Sequence, residues 1–121
     1  MSGLTGRRIL IVEDEFLIAA MLEDMLVDLG AVVVGPAATV AKGLDLAATE
    51  PMDAAVLDVN VAGLRIDPVA EALSARGIPV VFATGYDDAN IRSTETTPLL
   101  QKPYTQKKLA DALAHALKIS V

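Results

Sequence analysis

Cysteine is absent, and so is tryptophan. Without thiols there is no disulfide framework, no thiolate zinc site and no mark of an oxidising compartment. Histidine occurs once, at His115 near the C-terminus, which argues against a zinc centre on the nitrogen side as well. Aromatic residues are only 3% of the 121 positions against 53% hydrophobic, so any core must be aliphatic. No apolar run approaches the roughly 20 residues of a bilayer span, and "MSGLTGRR" at the start lacks the apolar centre of a signal peptide. Bases are scarce too: 10 Lys and Arg against 16 Asp and Glu leave a formal net charge of −6. That balance argues against nucleic acid as a direct partner, because phosphate binding needs a basic face. The expectation is one soluble, cytoplasmic domain with no membrane partner.

What the chain does have is alternation. Short apolar runs at Arg7 to Glu13, Ala31 to Gly35, Asp53 to Asp58, Ile78 to Ala83 and Pro98 to Gln101 read as strands. Between and after them lie helical patterns. In "DEFLIAAMLEDMLVDLG", Ile18, Met21, Leu22, Met25, Leu26 and Leu29 follow helical spacing, and the Met21–Met25 pair fits core packing. "TVAKGLDLAATE" is a weaker helix in which Gly43 costs about 1 kcal/mol relative to Ala. "DPVAEALSARG" starts with Asp67 as a possible cap and Pro68 in the first turn, and stops at Gly77. "TQKKLADALAHALK" carries Leu109, Leu113 and Leu117 on one face, with His115 off that face and solvated. Tyr86 to Thr97 should hold another helix, but its pattern is poor, so that helix is expected to be short or loosely ordered. Strands that each lead into a helix imply a mostly parallel sheet covered on both faces. Ligands of such sheets sit beyond the carboxyl ends of the strands.

Those ends are chemically loaded. Glu13, Asp14 and Glu15 follow the first strand, Asp58 and Asn60 the third, Thr84 and Gly85 the fourth, and Lys102 and Pro103 the fifth. The second ends in Gly35 and Pro36 and brings no charge. Two carboxylates ~4 Å apart repel by roughly 4 kcal/mol at an effective dielectric near 20, so a proton or a cation must sit between them. Hard oxygen donors in an incomplete cage suit Mg²⁺, which prefers one or two carboxylates plus a phosphoryl oxygen. Asp58 could then attack phosphorus, with Mg²⁺ and Lys102 neutralising the equatorial oxygens and Thr84 donating a hydrogen bond to one of them. For Asp14 a helix N-cap is the plainer alternative, and Glu15 reads as a solvated first-turn acid.

The motifs "VEDE", "VLDVN", "FATG" and "QKPY", in this order and on these elements, resemble the receiver domain of two-component response regulators over nearly the whole chain. "FATGY" with "LDVNVAGLRIDPVAEALSARGIPV" is similar to one subgroup, the single-domain bacterial regulators named for a Phe-Ala-Thr-Gly-Gly/Tyr (FATGUY) signature. The resemblance implies an α/β flavodoxin-like fold: a doubly wound five-stranded parallel sheet of order 2-1-3-4-5, with residues 1–121 a single receiver, its core about 7–118, and no output domain. It implies Asp58 as phospho-acceptor, Asp14 as a direct Mg²⁺ ligand, Glu13 acting through water, and the Asn60 backbone carbonyl on the metal. Thr84 and Lys102 would bind the phosphoryl group, and the Lys102–Pro103 peptide would be cis. The donor would be a phosphohistidine on a histidine kinase or histidine phosphotransferase. The output would pass to a downstream protein by contact, or as a phosphate relay or sink, from a monomer or weak homodimer. On this reading the chain is a phospho-acceptor rather than an enzyme.

Two departures stand out. The family's Met-Pro turn after the acceptor is replaced by "DVNVAGLRIDP", so that loop is expected to be shaped differently. The aromatic expected three positions before the lysine is Leu99, so the usual switch cannot be assumed. Tyr86, two residues past Thr84, either packs on the loop or shields the phosphoryl group, and Tyr104 reads as a packing or binding-face residue. Two other classes are distinguishable. A Mg²⁺-dependent phosphatase with an aspartyl-phosphate intermediate would want an acid where Asn60 stands. A phosphorylation-independent interaction domain would have no use for so complete an acidic site.

Overall fold

The computed structural model describes residues 3–61, 64–84, 99–101 and 105–119, with backbone alone for 60, 61, 64, 84 and 99–101. In chain order the elements are β1 (Arg8–Val12), α1 (Phe16–Asp28), β2 (Val32–Ala37), α2 (Val40–Thr49), β3 (Ala54–Asp58), β4 (Asn60–Val61), β5 (Leu64–Arg65), α3 (Asp67–Ala75), β6 (Val80–Thr84), β7 (Leu99–Gln101) and α4 (Gln106–Leu117). A five-stranded sheet runs β2-β1-β3-β6-β7, and every pairing in it is parallel. β4 and β5 form a separate antiparallel hairpin. Residues 85–98, where the short or loosely ordered helix is expected, lie outside the described residues.

Two aliphatic layers sandwich the sheet. Leu22 and Leu26 of α1 and Leu109 and Leu113 of α4 close on Ile9, Ile11, Val56 and Val81. On the opposite face Val40 and Ala47 of α2 and Val69 and Leu73 of α3 close on Leu10, Val12, Leu57 and Ile66. The inner strands β1 and β3 are therefore buried on both faces, which is why they read as unbroken apolar runs rather than alternating ones. Each fully buried Leu, Ile or Val contributes roughly 1.5–3 kcal/mol relative to an exposed one.

Four expectations change. The run Ala31 to Gly35 does not stop there: β2 continues through Gly35 and Pro36 to Ala37. The register slips between Leu10↔Val34 and Val12↔Ala37, so β2 spends one residue more than β1. Gly35 takes φ 96 at that bulge, a backbone that glycine adopts without a Cβ penalty. Pro36 lacks an N–H for the ladder, but β2 is an edge strand and tolerates it there. Asp67 is not a cap. Ile66 holds the N-cap position, and Asp67 is the first helical residue, paired at 3.4 Å with Arg65.

Asp14 does not cap α1 either, because the N-cap position falls to Glu15, without a side-chain bond. Met21 leaves the predicted stripe: it is 52% exposed, while Met25 and Leu29 pack on the core. Phe16 and Leu17 are also exposed. α1 is apolar on most sides, so spacing alone does not select its buried face. Hydroxyls cap α2 and α4, as Thr39 accepts from the Lys42 N–H at 3.1 Å and Thr105 from the Lys108 N–H at 3.2 Å.

Gly43 is buried in α2 for a packing reason. A Cβ built there would lie 3.1 Å from Val12 Cγ2 and 3.4 Å from Val69 Cγ2. Its helix cost is the condition for α2 lying this close to β1 and α3. Gly43→Val is expected to lower unfolding free energy by about 1–3 kcal/mol despite its better helix propensity, as overpacking does. Gly43→Ala should stay within about 1 kcal/mol of wild type, since strain and propensity there oppose each other. Urea denaturation of the three proteins checks both.

Candidate functional site

The parallel register brings chemistry to one edge of the sheet. β1 pairs Val12 with Leu57 of β3, and β3 pairs Asp58 with Ala83 of β6. One step beyond Val12↔Leu57, Glu13 therefore stands beside Asp58 and Asp58 beside Ala83, with Val59 and Thr84 one residue further on. Glu13 leaves β1 with its N–H donating to the Ala37 carbonyl at 2.9 Å. Its carboxylate turns back to accept from the Glu15 N–H at 3.1 Å, which satisfies one donor ahead of α1. It is only 2% exposed. Asp14 is exposed beside it. Asp58, the last residue of β3, is 6% exposed.

One ligand atom from each of Glu13, Asp14 and Asp58 lies within 4.8 Å of the others. At that separation two carboxylates repel by roughly 3 kcal/mol at an effective dielectric near 20. Three hard anionic oxygens, two of them on buried residues, form a donor set suited to a small divalent cation such as Mg²⁺ that retains part of its water shell. Glu15 is exposed and serves α1 by position, with its N–H on Glu13.

Asn60 opens the hairpin opposite Arg65. The Ile66 N–H donates to the Val59 carbonyl at 3.0 Å, so the flanking pair Val59–Ile66 is hydrogen-bonded and Asn60–Arg65 is not. The Asn60 carbonyl is therefore turned to the outer side of the hairpin. This hairpin is the part of the site that the sequence reading did not specify beyond a loop of different shape. Its faint signal is the two-residue spacer Ala62-Gly63 between "NV" and "LR".

Thr84 is the last residue of β6 rather than the first beyond it, and its backbone pairs with Gln101. Leu99 opens β7 opposite Phe82. Lys102 is the next residue after β7, and it lies outside the described residues together with the Lys102–Pro103 peptide, Tyr86 and Tyr104. His115 lies exposed on α4. No described helix is long and apolar enough to cross a membrane.

Comparison with known proteins agrees with this geometry. The solution structure of SdrG from Sphingomonas melonis Fr1 is 52% identical, with 97% of this chain and 99% of that one aligned at a TM-score of 0.83. The BeF3-activated conformation of SdrG superposes at 0.77 over the same shares. The phyllosphere-induced regulator PhyR of Methylorubrum extorquens is 31% identical over 114 residues, which is 90% of this chain and 43% of PhyR. The transcriptional regulatory protein PdtaR of Mycobacterium tuberculosis is 31% identical over 116 residues, 92% of this chain and 57% of PdtaR. The chain thus spans about half the length of these two relatives. The family model for the response regulator receiver domain matches residues 9–114, a stretch that takes in the sheet, the acid cluster and most of α4. The chain belongs to the response regulator receiver domain family.

Proposed function

We propose that this chain is a phosphorylation-controlled receiver of the single-domain FATGUY type, with Asp58 as the phospho-acceptor. One observation carries the reading: a carboxylate that is nearly fully buried at a strand end is gathered with two others within 4.8 Å. The donor is a phosphohistidine on a histidine kinase or histidine phosphotransferase. An Asp58 carboxylate oxygen forms the new bond to phosphorus as the P–N bond breaks, and the imidazole nitrogen keeps the electron pair and takes up a proton. Glu13, Asp14, Asp58 and the Asn60 carbonyl are the residues that would hold Mg²⁺, Glu13 through water, and the bound ion would offset charge on the phosphoryl oxygens.

Lys102 and Thr84 are assigned to those same oxygens, Lys102 as the cation and Thr84 as a hydroxyl donor. Support for this assignment is the level register of β3, β6 and β7. A relative with 52% identity that adopts a BeF3-activated conformation supports it as well. The protein catalyses its own phosphorylation and dephosphorylation rather than turning over a separate substrate. Its output passes by protein contact, or by handing the phosphoryl group on. With a net charge of −6, direct contact with nucleic acid forms no part of this reading.

Incubation with acetyl phosphate and Mg²⁺, and separately with a phosphorylated histidine kinase, should label wild type with an acid-stable, base-labile phosphoryl group. Asp58→Asn should take up none from either donor, and equal labelling of this variant would sink the reading. Tyr86→Ala should shorten the lifetime of the phosphoryl group if the ring shields phosphorus, so an unchanged decay rate assigns Tyr86 to packing instead. At a hundredfold excess of Mg²⁺ over its dissociation constant, wild type should gain about 2.7 kcal/mol of stability. Asp14→Asn should gain less than about 1 kcal/mol under the same conditions. Thermal melts followed by circular dichroism read both.

A further inference from the structure

The end of β3 is hydrogen-bonded to the start of α3, and the end of β1 to the last residue of β2, which leads into α2 on the same face of the sheet. The Glu13 N–H donates to the carbonyl of Ala37, three residues ahead of α2. The peptide after Asp58 is held more tightly. The Val59 N–H donates to the Ala83 carbonyl at 3.1 Å, and the Val59 carbonyl accepts from Ile66 at 3.0 Å. The Ile66 carbonyl in turn accepts from Val69 at 2.9 Å and Ala70 at 3.2 Å in the first turn of α3. Val59, Ile66 and Val69 are all fully buried, so no part of this path is loosened by solvent.

The two helices are also fastened to each other. Near their middles Gly43 lets α2 approach Val12 and Val69. At their C-terminal ends the Arg76 guanidinium donates to the carbonyls of Ala47 and, at 3.0 Å, Glu50. These are carbonyls that the end of α2 leaves without helical partners. Close-packed interiors deform by shifting whole elements rather than by yielding locally.

We infer that α2 and α3 form one rigid lever that reports occupancy of the acid cluster. When a cation and a phosphoryl group draw Glu13, Asp14 and Asp58 together, the ends of β1 and β3 carry Ala37 and Ile66 with them, and the helix pair follows. α3 also forms one wall of a groove of about 360 Å³ lined by Ala70, Glu71, Ser74, Val80 and Phe82, so the width of that groove follows the site. The inference rests on the phospho-acceptor reading and deepens it.

The test is heteronuclear NMR on the full chain with Mg²⁺ alone and then with Mg²⁺ and beryllofluoride. The expected result is that amides of Val59, Ile66, Val69, Leu44 and Ala47 shift with one common midpoint. Residual dipolar couplings should keep the α2–α3 angle fixed while both helices turn relative to β1 and β3. Arg76→Ala, an exposed change that leaves the acid cluster alone, should keep the α3 response and cut the α2 response by about twofold or more. Shifts confined to residues 13–15 and 58–65 would overturn the lever while leaving the phospho-acceptor reading intact. An Arg76→Ala protein with an unchanged α2 response would overturn the one-body claim. Absence of any beryllofluoride response at Asp58 would overturn the phospho-acceptor reading and the lever with it.

Discussion

Three carboxylates that repel one another are held within 4.8 Å by a core that has no say in their chemistry. Aliphatic burial on both faces of β1 and β3 fixes where those strands end, and the acids stand at the ends. The register Val12↔Leu57 cannot slip by one residue without turning every buried side chain of β1 to the other face. The repulsion is thus opposed by many small packing terms spread through the sheet. A cation relieves it directly. That asymmetry makes the site responsive: the scaffold tolerates the charge, and an incoming positive group is favoured.

The loop after the acceptor shows how local chemistry shapes a site. In place of a Met-Pro turn, Asn60–Val61 and Leu64–Arg65 pair as a hairpin, and Ile66 closes it onto Val59. The closure does two things at once. It turns the Asn60 carbonyl outward, and it starts α3 directly from the backbone of the acceptor strand. Asp67, read in sequence as a cap, is thereby left to the first turn, where it favours the helix dipole and pairs with Arg65.

Much of the fold was legible in sequence because buried parallel strands leave unbroken apolar runs. The acids were legible because strand ends in such sheets are where ligands go. Other features were hidden for physical reasons. Met21 sits at helical spacing yet faces solvent, since α1 carries apolar residues around most of its circumference. Gly43 looked like a flaw in a helix, because the side chains it admits, Val12 and Val69, are distant in sequence. Pro36 looked like a strand end, because a bulge is a property of two strands and cannot be seen in one. The hairpin left only Ala62-Gly63 as a cue, too short a signal to outweigh a loop.

That bulge bears on how the protein behaves in company. Open sheets invite further strands along their edges, which is a common route to aggregation. Among the described residues one edge is β2, whose ladder is broken at Gly35 and Pro36, and the other is β7. At β2 an incoming chain meets no long run of evenly spaced donors and acceptors. That edge is thereby a poor template for polymerisation through the sheet.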